Sequence, residues 1–158
     1  MWQGDPDSRL RLQAEGDGYR LESLDALDIE HYDAQGQLTS RTEAGGLITQ
    51  YGYDSEGRLA AVTGPFGRTL AFSYDSNNRI EGIATPDGQL TYAYDAQGNL
   101  TEVNYPDGNS RRYHYEESAL PHHLTDLTDE RGERLATWRY QRRRQGDQFR
   151  TQRRRGAG

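Results

Sequence analysis

The side chains best equipped for chemistry in this chain are its 25 Asp and Glu residues and its 4 His, in 158 residues. Paired carboxylates can act as acid and base in glycoside hydrolysis. Here most of the Asp residues fall in turn sequences, where a short carboxylate bonds the backbone amides that follow it. The Asp-x-x-Gly runs also resemble calcium loops, but they lack the alternating ligand series and the distal Glu of an EF-hand. His114, His122 and His123 are close in sequence, yet adjacent His on a strand face opposite sides, and there is no Cys to complete a zinc site. No Gly-x-Ser-x-Gly elbow, Ser-His-Asp arrangement or phosphate loop is evident. The sequence predicts no catalytic, cofactor or metal site. What remains is the tyrosines, which could stack on sugars or pack on one another.

The tyrosines are ordered. Tyr32-Asp33-Ala34-Gln35-Gly36-Gln37-Leu38 recurs as Tyr53-Asp54-Ser55-Glu56-Gly57-Arg58-Leu59. It recurs again as Tyr74-Asp75-Ser76-Asn77-Asn78-Arg79-Ile80 and as Tyr94-Asp95-Ala96-Gln97-Gly98-Asn99-Leu100. A decayed copy starts at Tyr115-Glu116, and the tyrosines step by 21, 21, 20 and 21 residues. A second marker, Gly46, Gly67, Gly88 and Gly108, runs in phase with the first; two of its copies read Pro-Asp-Gly.

Each period therefore holds two turns and two strands. Asp-x-x-Gly suits a type I turn, with Asp at the first position and Gly supplying positive φ at the exit. Asn78 stands for Gly in the third copy, and Asn tolerates that backbone region best after Gly. In Pro-Asp-Gly, Pro sets φ and Gly closes the turn. Between turns, Leu70, Phe72 and Tyr74 alternate with Ala71 and Ser73, the period-two pattern of a strand with one apolar face. On the return strands Leu59 and Val62, Ile80 and Ile83, and Leu100 and Val103 stand three apart. A β-bulge after the Gly would return both to one face. Because a lone hairpin is marginal in water, the hairpins must stack, with the tyrosines meeting across strands. Each ring hydroxyl then stays wet or finds a backbone partner. The fold class expected is all-β: tandem antiparallel hairpins in an open, curved sheet.

Composition agrees. Only 32% of residues are hydrophobic, but 11 are Tyr and 18 are Gly, so the chain is neither rich in core aliphatics nor poor in aromatics like a disordered one. All 19 basic residues are Arg. Residues 1–110 carry 7 Arg and 18 acids, whereas residues 111–158 carry 12 Arg and 7 acids. The acidic body argues against nucleic-acid binding, leaving only the Arg-rich end as a candidate.

The Tyr-Asp-x-x-Gly-Arg-Leu unit with its Pro-Asp-Gly turn resembles the YD repeat of Rhs proteins, related to repeats of insecticidal toxin components and teneurins. A block from Tyr113-His114-Tyr115-Glu116 through Leu120-Pro121-His122-His123-Leu124-Thr125 to Trp138-Arg139-Tyr140 is similar to one that recurs in bacterial Rhs chains. The resemblance covers about residues 30–140. It implies a non-catalytic spiralling sheet that closes as a shell around a C-terminal toxin used against competing bacteria. With four or five repeats and no Asp-Pro-x-Gly-Leu block, neither closure nor self-cleavage carries over to this chain.

The organisation expected is a degenerate N-terminal segment over 1–29, read as a divergent hairpin, the array over 30–140, and an Arg-rich, unordered tail over 141–158. Partners expected are further repeats or a toxin domain in a full-length relative, and self-association through open sheet edges. A carbohydrate- or surface-binding module is the alternative function. No stretch approaches the ~20 apolar residues of a membrane helix, and no signal peptide is evident, so synthesis in the cytoplasm is expected, with export only as part of a delivered effector.

Overall fold

The computed structural model describes residues 9–142 and 149–155, with side chains through Tyr140. No described residue is helical. The chain divides into two compact units, Met1–Ser73 with Ala84–Pro86, and Tyr74–Ile83 with Asp87–Gly158.

The first unit is a run of antiparallel strands in chain order: β1 (Leu10–Glu15), β2 (Gly18–Ser23), β3 (Ile29–Tyr32), β4 (Leu38–Thr42), β5 (Ile48–Tyr53), β6 (Leu59–Thr63) and β7 (Thr69–Tyr74, whose last residue belongs to the second unit). The N-terminal segment forms a hairpin, β1 with β2, around a tight turn at Gly16-Asp17. Ser23 closes the next loop: its amide bonds the Asp28 carbonyl and its hydroxyl accepts from the Ala26 amide. Leu21, Leu24, Leu27 and Ile29, spaced also as on a helix, are carried instead by β2, that loop and β3.

In the second unit follow β8 (Ile80–Thr85, whose end belongs to the first), β9 (Gly88–Tyr94), β10 (Leu100–Asn104), β11 (Ser110–His114), β12 (Asp126–Thr128), β13 (Arg134–Arg142) and β14 (Phe149–Arg155). Strands β9 to β14 pair antiparallel, each with the next. Over Phe149–Arg155 the backbone is a strand on β13, where the sequence predicts an unordered tail; the rest of that tail beyond Arg142 lies outside the described residues.

The turns show why the sequence repeats. In Asp33–Gly36 the Gly36 amide bonds the Asp33 carbonyl and the Asp33 amide bonds the Gln37 carbonyl. This is a type I turn followed by a residue in the left-handed region, a common three-residue hairpin loop. The same pair of bonds closes 54–58, 75–79 and 95–99, and also 43–47, 64–68 and 105–109. Both ends of the hairpins thus use one loop geometry. Asn78 adopts φ 61° in the place that Gly57 fills at 77°. The turn at Pro86-Asp87 differs from its Pro106-Asp107 counterpart: it has two residues, and Gly88 opens β9 with φ 132°. A Cβ at Gly88 would stand 2.6 Å from the Cβ of Pro106, so close contact between turns demands glycine there.

The bulge lies three residues after the turn glycine. Tyr53 pairs with Leu59 but Gly52 with Ala61, leaving Ala60 extra; Thr39 and Thr101 are the matching residues in β4 and β10. Leu59 opposite Tyr53 and Val62 opposite Tyr51 therefore share one face despite their odd spacing. Thr39 and Thr101 each donate a hydroxyl to the carbonyl facing the bulge, on His31 and Ala93.

The apolar interior is thin. Among the described residues the buried apolar side chains are Val103 and Ala136, while the repeat tyrosines and leucines are half-buried. Register, more than volume, sets stability. Inserting one residue between Ala61 and Val62, which the bulge at Ala60 does not absorb, should turn Val62 away from Tyr51 and lower unfolding free energy by about 1.5 kcal/mol, the low end for burying a valine. Denaturant titration checks it, and an unchanged midpoint would contradict the role of register.

Candidate functional site

The repeat markers converge in two places, the turn and the tyrosine. In the turns, Asp33 Oδ1 accepts from the amides of Gln35 and Gln37. Asp54 does the same for Glu56 and Arg58, Asp75 for Asn77 and Arg79, and Asp95 for Gln97 and Asn99. Each Asp is thus its own turn's anchor. The second oxygen is also taken: Arg58 Nε donates to Asp54 Oδ2 at 2.8 Å, Arg79 Nε to Asp75 Oδ2 at 2.8 Å, and Asn99 Nδ2 to Asp95 Oδ2 at 2.7 Å. Amides donated by Arg58 and by Arg79 hold the Asp54 and Asp75 carboxyls below their ordinary range. The Asn99 side chain does this for Asp95.

The residue after the turn glycine also reaches the neighbouring repeat. Gln37 Nε2 donates to the Gly57 carbonyl at 2.8 Å. The Arg79 guanidinium lies over the Tyr94 ring, 4.3 Å from its centre, a cation–π contact. Asn99, only 8% exposed, donates to the Pro121 carbonyl and accepts from His122 Nδ1 at 2.8 Å. Gln37, Arg79 and Asn99 hold successive turns together by three different bonds.

The tyrosines form the second line of contact. Tyr53 donates its hydroxyl to the Leu38 carbonyl at 3.0 Å, Tyr94 to that of Ile80 at 2.8 Å, and Tyr140 to that of Leu124 at 2.7 Å. The acceptors Leu38 and Ile80 stand at the same place, the second residue after the turn of the preceding hairpin. Tyr32 has Gly18 and the tight first turn before it, and donates instead to Glu30 Oε2 at 2.6 Å. That bond to a carboxylate pushes its ionisation up to about 12. Burial raises the Tyr94 and Tyr115 phenols. Tyr74 is half-buried and partnered.

The block after Tyr113 breaks the hairpin rhythm and docks onto it. A loop, residues 115–125, replaces the turn. Asn99 binds it at Pro121 and His122; His123 meets the Tyr140 ring edge-on, centres 4.7 Å apart. His122 and His123 therefore lie in a loop, not on opposite faces of a strand. Thr125 is buried, its hydroxyl donating to the His114 carbonyl and accepting from the Glu116 amide. Asp126, 1% exposed, receives Thr137 Oγ1 at 2.9 Å and Arg134 at 3.2 Å on one oxygen. A further turn of the same kind follows: Asp129 Oδ1 accepts from Arg131 and Glu133, with Gly132 at φ 80°. Its Asp-x-x-Gly signal is in the sequence, but no tyrosine precedes it.

Among the described residues this arrangement holds backbone in place and presents no converged reactive group. His114 Nε2 bonds Thr128 Oγ1 at 2.9 Å, a hydroxyl beside a base, while the buried Asp126 gives Oδ2 to Thr137 and Arg134 and its Oδ1 has no partner. Among the described residues no group of His, Asp or Glu could hold a metal ion, and no helix is long and apolar enough to cross a membrane.

The family whose pattern matches is the Teneurin YD-shell, over residues 11–151. This chain belongs to that family. No curated protein matches it. Among solved structures, TcdB2-TccC3 superposes with a TM-score of 0.55 at 18% identity, over 82% of this chain and 9% of that one. The Photorhabdus luminescens Tc holotoxin pore gives 0.56 at 16%, over 82% and 8%. TcdB2-TccC3 without its hypervariable C-terminal region gives 0.55 at 17%, over 82% and 8%. The YD-shell chain described here thus spans less than a tenth of those chains, and the likeness is one of fold.

The turn carboxylates of Asp54, Asp75, Asp95 and Asp107 all ionise below their ordinary value of 3.8. With folded values depressed, their contribution is complete above that value and is lost as pH falls through the lower folded ones. Unfolding free energy should therefore hold steady down to about pH 4 and drop below it, and Asp75→Asn should flatten the drop. A denaturant series against pH checks this; no difference between the variant and the parent would contradict it.

Proposed function

We propose that the chain is a non-catalytic segment of a YD-type shell, whose work is to join hairpins into wall, and that in a full-length assembly the wall encloses a C-terminal toxin used against competing bacteria. The observation that carries this reading is the direction of the polar contacts. The side chains that sequence repetition singles out, Asp54, Asp75 and Asp95 with Tyr53 and Tyr94, spend their polar atoms on their own turn or on the preceding hairpin. Residues repeated for a ligand would converge on open space instead. The family membership and the fold shared with Tc toxin chains support the same reading.

A carbohydrate-binding role is not favoured, because the hydroxyls of Tyr53, Tyr94 and Tyr140, which a sugar would need, are bonded to carbonyls and their rings are half-buried. Partners under this reading are further repeats on either side and the enclosed cargo. Synthesis in the cytoplasm followed by release with the assembled effector is the matching route.

The test is a graft. Residues 11–140 replace an equal run of hairpins in a complete YD shell with its cargo, and cargo survival under added protease is followed. Retained protection is expected. A folded, soluble chimera whose cargo is cut as fast as free cargo would contradict the role of wall segment.

A further inference from the structure

The hairpin of β13 and β14 reverses the charge of the rest of the chain. Residues 1–110 carry 7 Arg against 18 acids, whereas seven of the sixteen residues of β13 and β14 are Arg and none is Asp or Glu. The register between the two strands runs unbroken from Ala136 with Arg155 to Arg142 with Phe149. Successive residues of a strand alternate in face, and residues opposite one another share a face.

One face of β13 is packed against the block. It takes Ala136, which is buried, and Tyr140, whose hydroxyl bonds the Leu124 carbonyl. The other takes Thr137 and Arg139, both exposed. On that second face the register sets Arg154 opposite Thr137, Arg139 opposite Gln152 and Arg150 opposite Gln141. Each of these cross-strand pairs holds one Arg and one neutral hydrogen-bonding residue. The arginine positions climb the hairpin in steps of about 6.8 Å, two residues of antiparallel strand. Asp126 and Glu116, acids from β12 and the loop before it, are taken by Arg134. Further hairpins on either side would pair with strand edges and leave this face as it is.

We propose that this ladder binds the phosphate backbone of a single-stranded nucleic acid, without regard to base sequence. The charge is complementary, and its form selects the ligand. Single cations at a regular step suit a polymer with one anionic group per unit. All basic residues of the chain are Arg, whose planar fork meets phosphate oxygens in pairs. Thr and Gln opposite the arginines are side chains that bond phosphate and sugar oxygens. An anionic bilayer would call for apolar side chains to enter it beside the cations, and the ladder positions hold none. A flexible single strand follows a flat strip along its length, whereas a stiff duplex touches it at few points. Trp138 and Tyr140 belong to the packed face, so base stacking adds nothing and the contact is with the backbone alone. The acidic body repels phosphate and confines binding to this hairpin. This inference is independent of the cargo reading.

Fluorescence anisotropy of a labelled oligothymidylate strand, titrated with the full chain, tests it. A dissociation constant on the order of 10 μM is expected at about 0.1 M salt, within the range of sequence-independent contacts. Three phosphate contacts should give the log of affinity a slope of about −2 against the log of salt, at ~0.7 per contact. Arg139→Gln, Arg150→Gln and Arg154→Gln should each weaken binding about fivefold at that salt and flatten the slope by ~0.7. Arg153→Gln, on the opposite face, should leave both unchanged, and circular dichroism should show all four variants folded. Absence of binding at low salt would overturn the proposal. Equal losses from Arg153→Gln and the ladder variants would overturn it too, since they describe a charge run without a face. So would tighter binding to a duplex of the same length, to polyglutamate or to vesicles rich in phosphatidylserine.

Discussion

A tyrosine that packs between hairpins brings a hydroxyl with it, and a partly buried hydroxyl must be bonded. Everything periodic in this chain follows from where that bond can go. The acceptor is the carbonyl of the second residue after the preceding turn, Leu38 for Tyr53 and Ile80 for Tyr94. Fixing ring and carbonyl together fixes the distance in sequence between them, and so the step of 20 or 21 residues. A chain with 32% hydrophobic residues has few aliphatic side chains to spend. It gains from the tyrosine both ring area and a directional bond that a leucine would not give.

Placing that carbonyl requires an invariant turn, and the aspartate supplies it. Its carboxylate holds two amides of the loop while the glycine, or Asn78, takes the left-handed exit. The bulge at Thr39, Ala60 and Thr101 then restores the apolar face, so that Leu and Val three residues apart both meet tyrosines. The turn, bulge and ring act in series, and a failure of any one misplaces the next hairpin. A sheet made this way has the turn carboxylates and the Tyr53 and Tyr94 hydroxyls committed to its own backbone.

Much of this was legible because it is local. Asp-x-x-Gly implies its turn chemistry without reference to the rest of the chain, and the three-residue spacing of Leu59 and Val62 demands a bulge somewhere after Gly57. What was not legible depends on contacts distant in sequence. The Asn99 link to Pro121 and His122 bridges more than twenty residues, and nothing in the spacing of the histidines marks it. The carbonyl acceptors of the tyrosines emerge only once strands are paired. Asp129–Gly132 carries the readable motif but lacks its tyrosine, so the rhythm passes over it. Pro86-Asp87 and Pro106-Asp107 read alike and fold differently, because Gly88 must make room for Pro106.

The most direct test of this account is proton NMR of the tyrosine rings. Nuclear Overhauser contacts should join the Tyr53 ring to the Leu38 backbone and the Tyr94 ring to that of Ile80, with slowly exchanging phenol hydroxyls. Rings that show contacts only within their own hairpin, with hydroxyls exchanging as fast as those of free tyrosine, would contradict it.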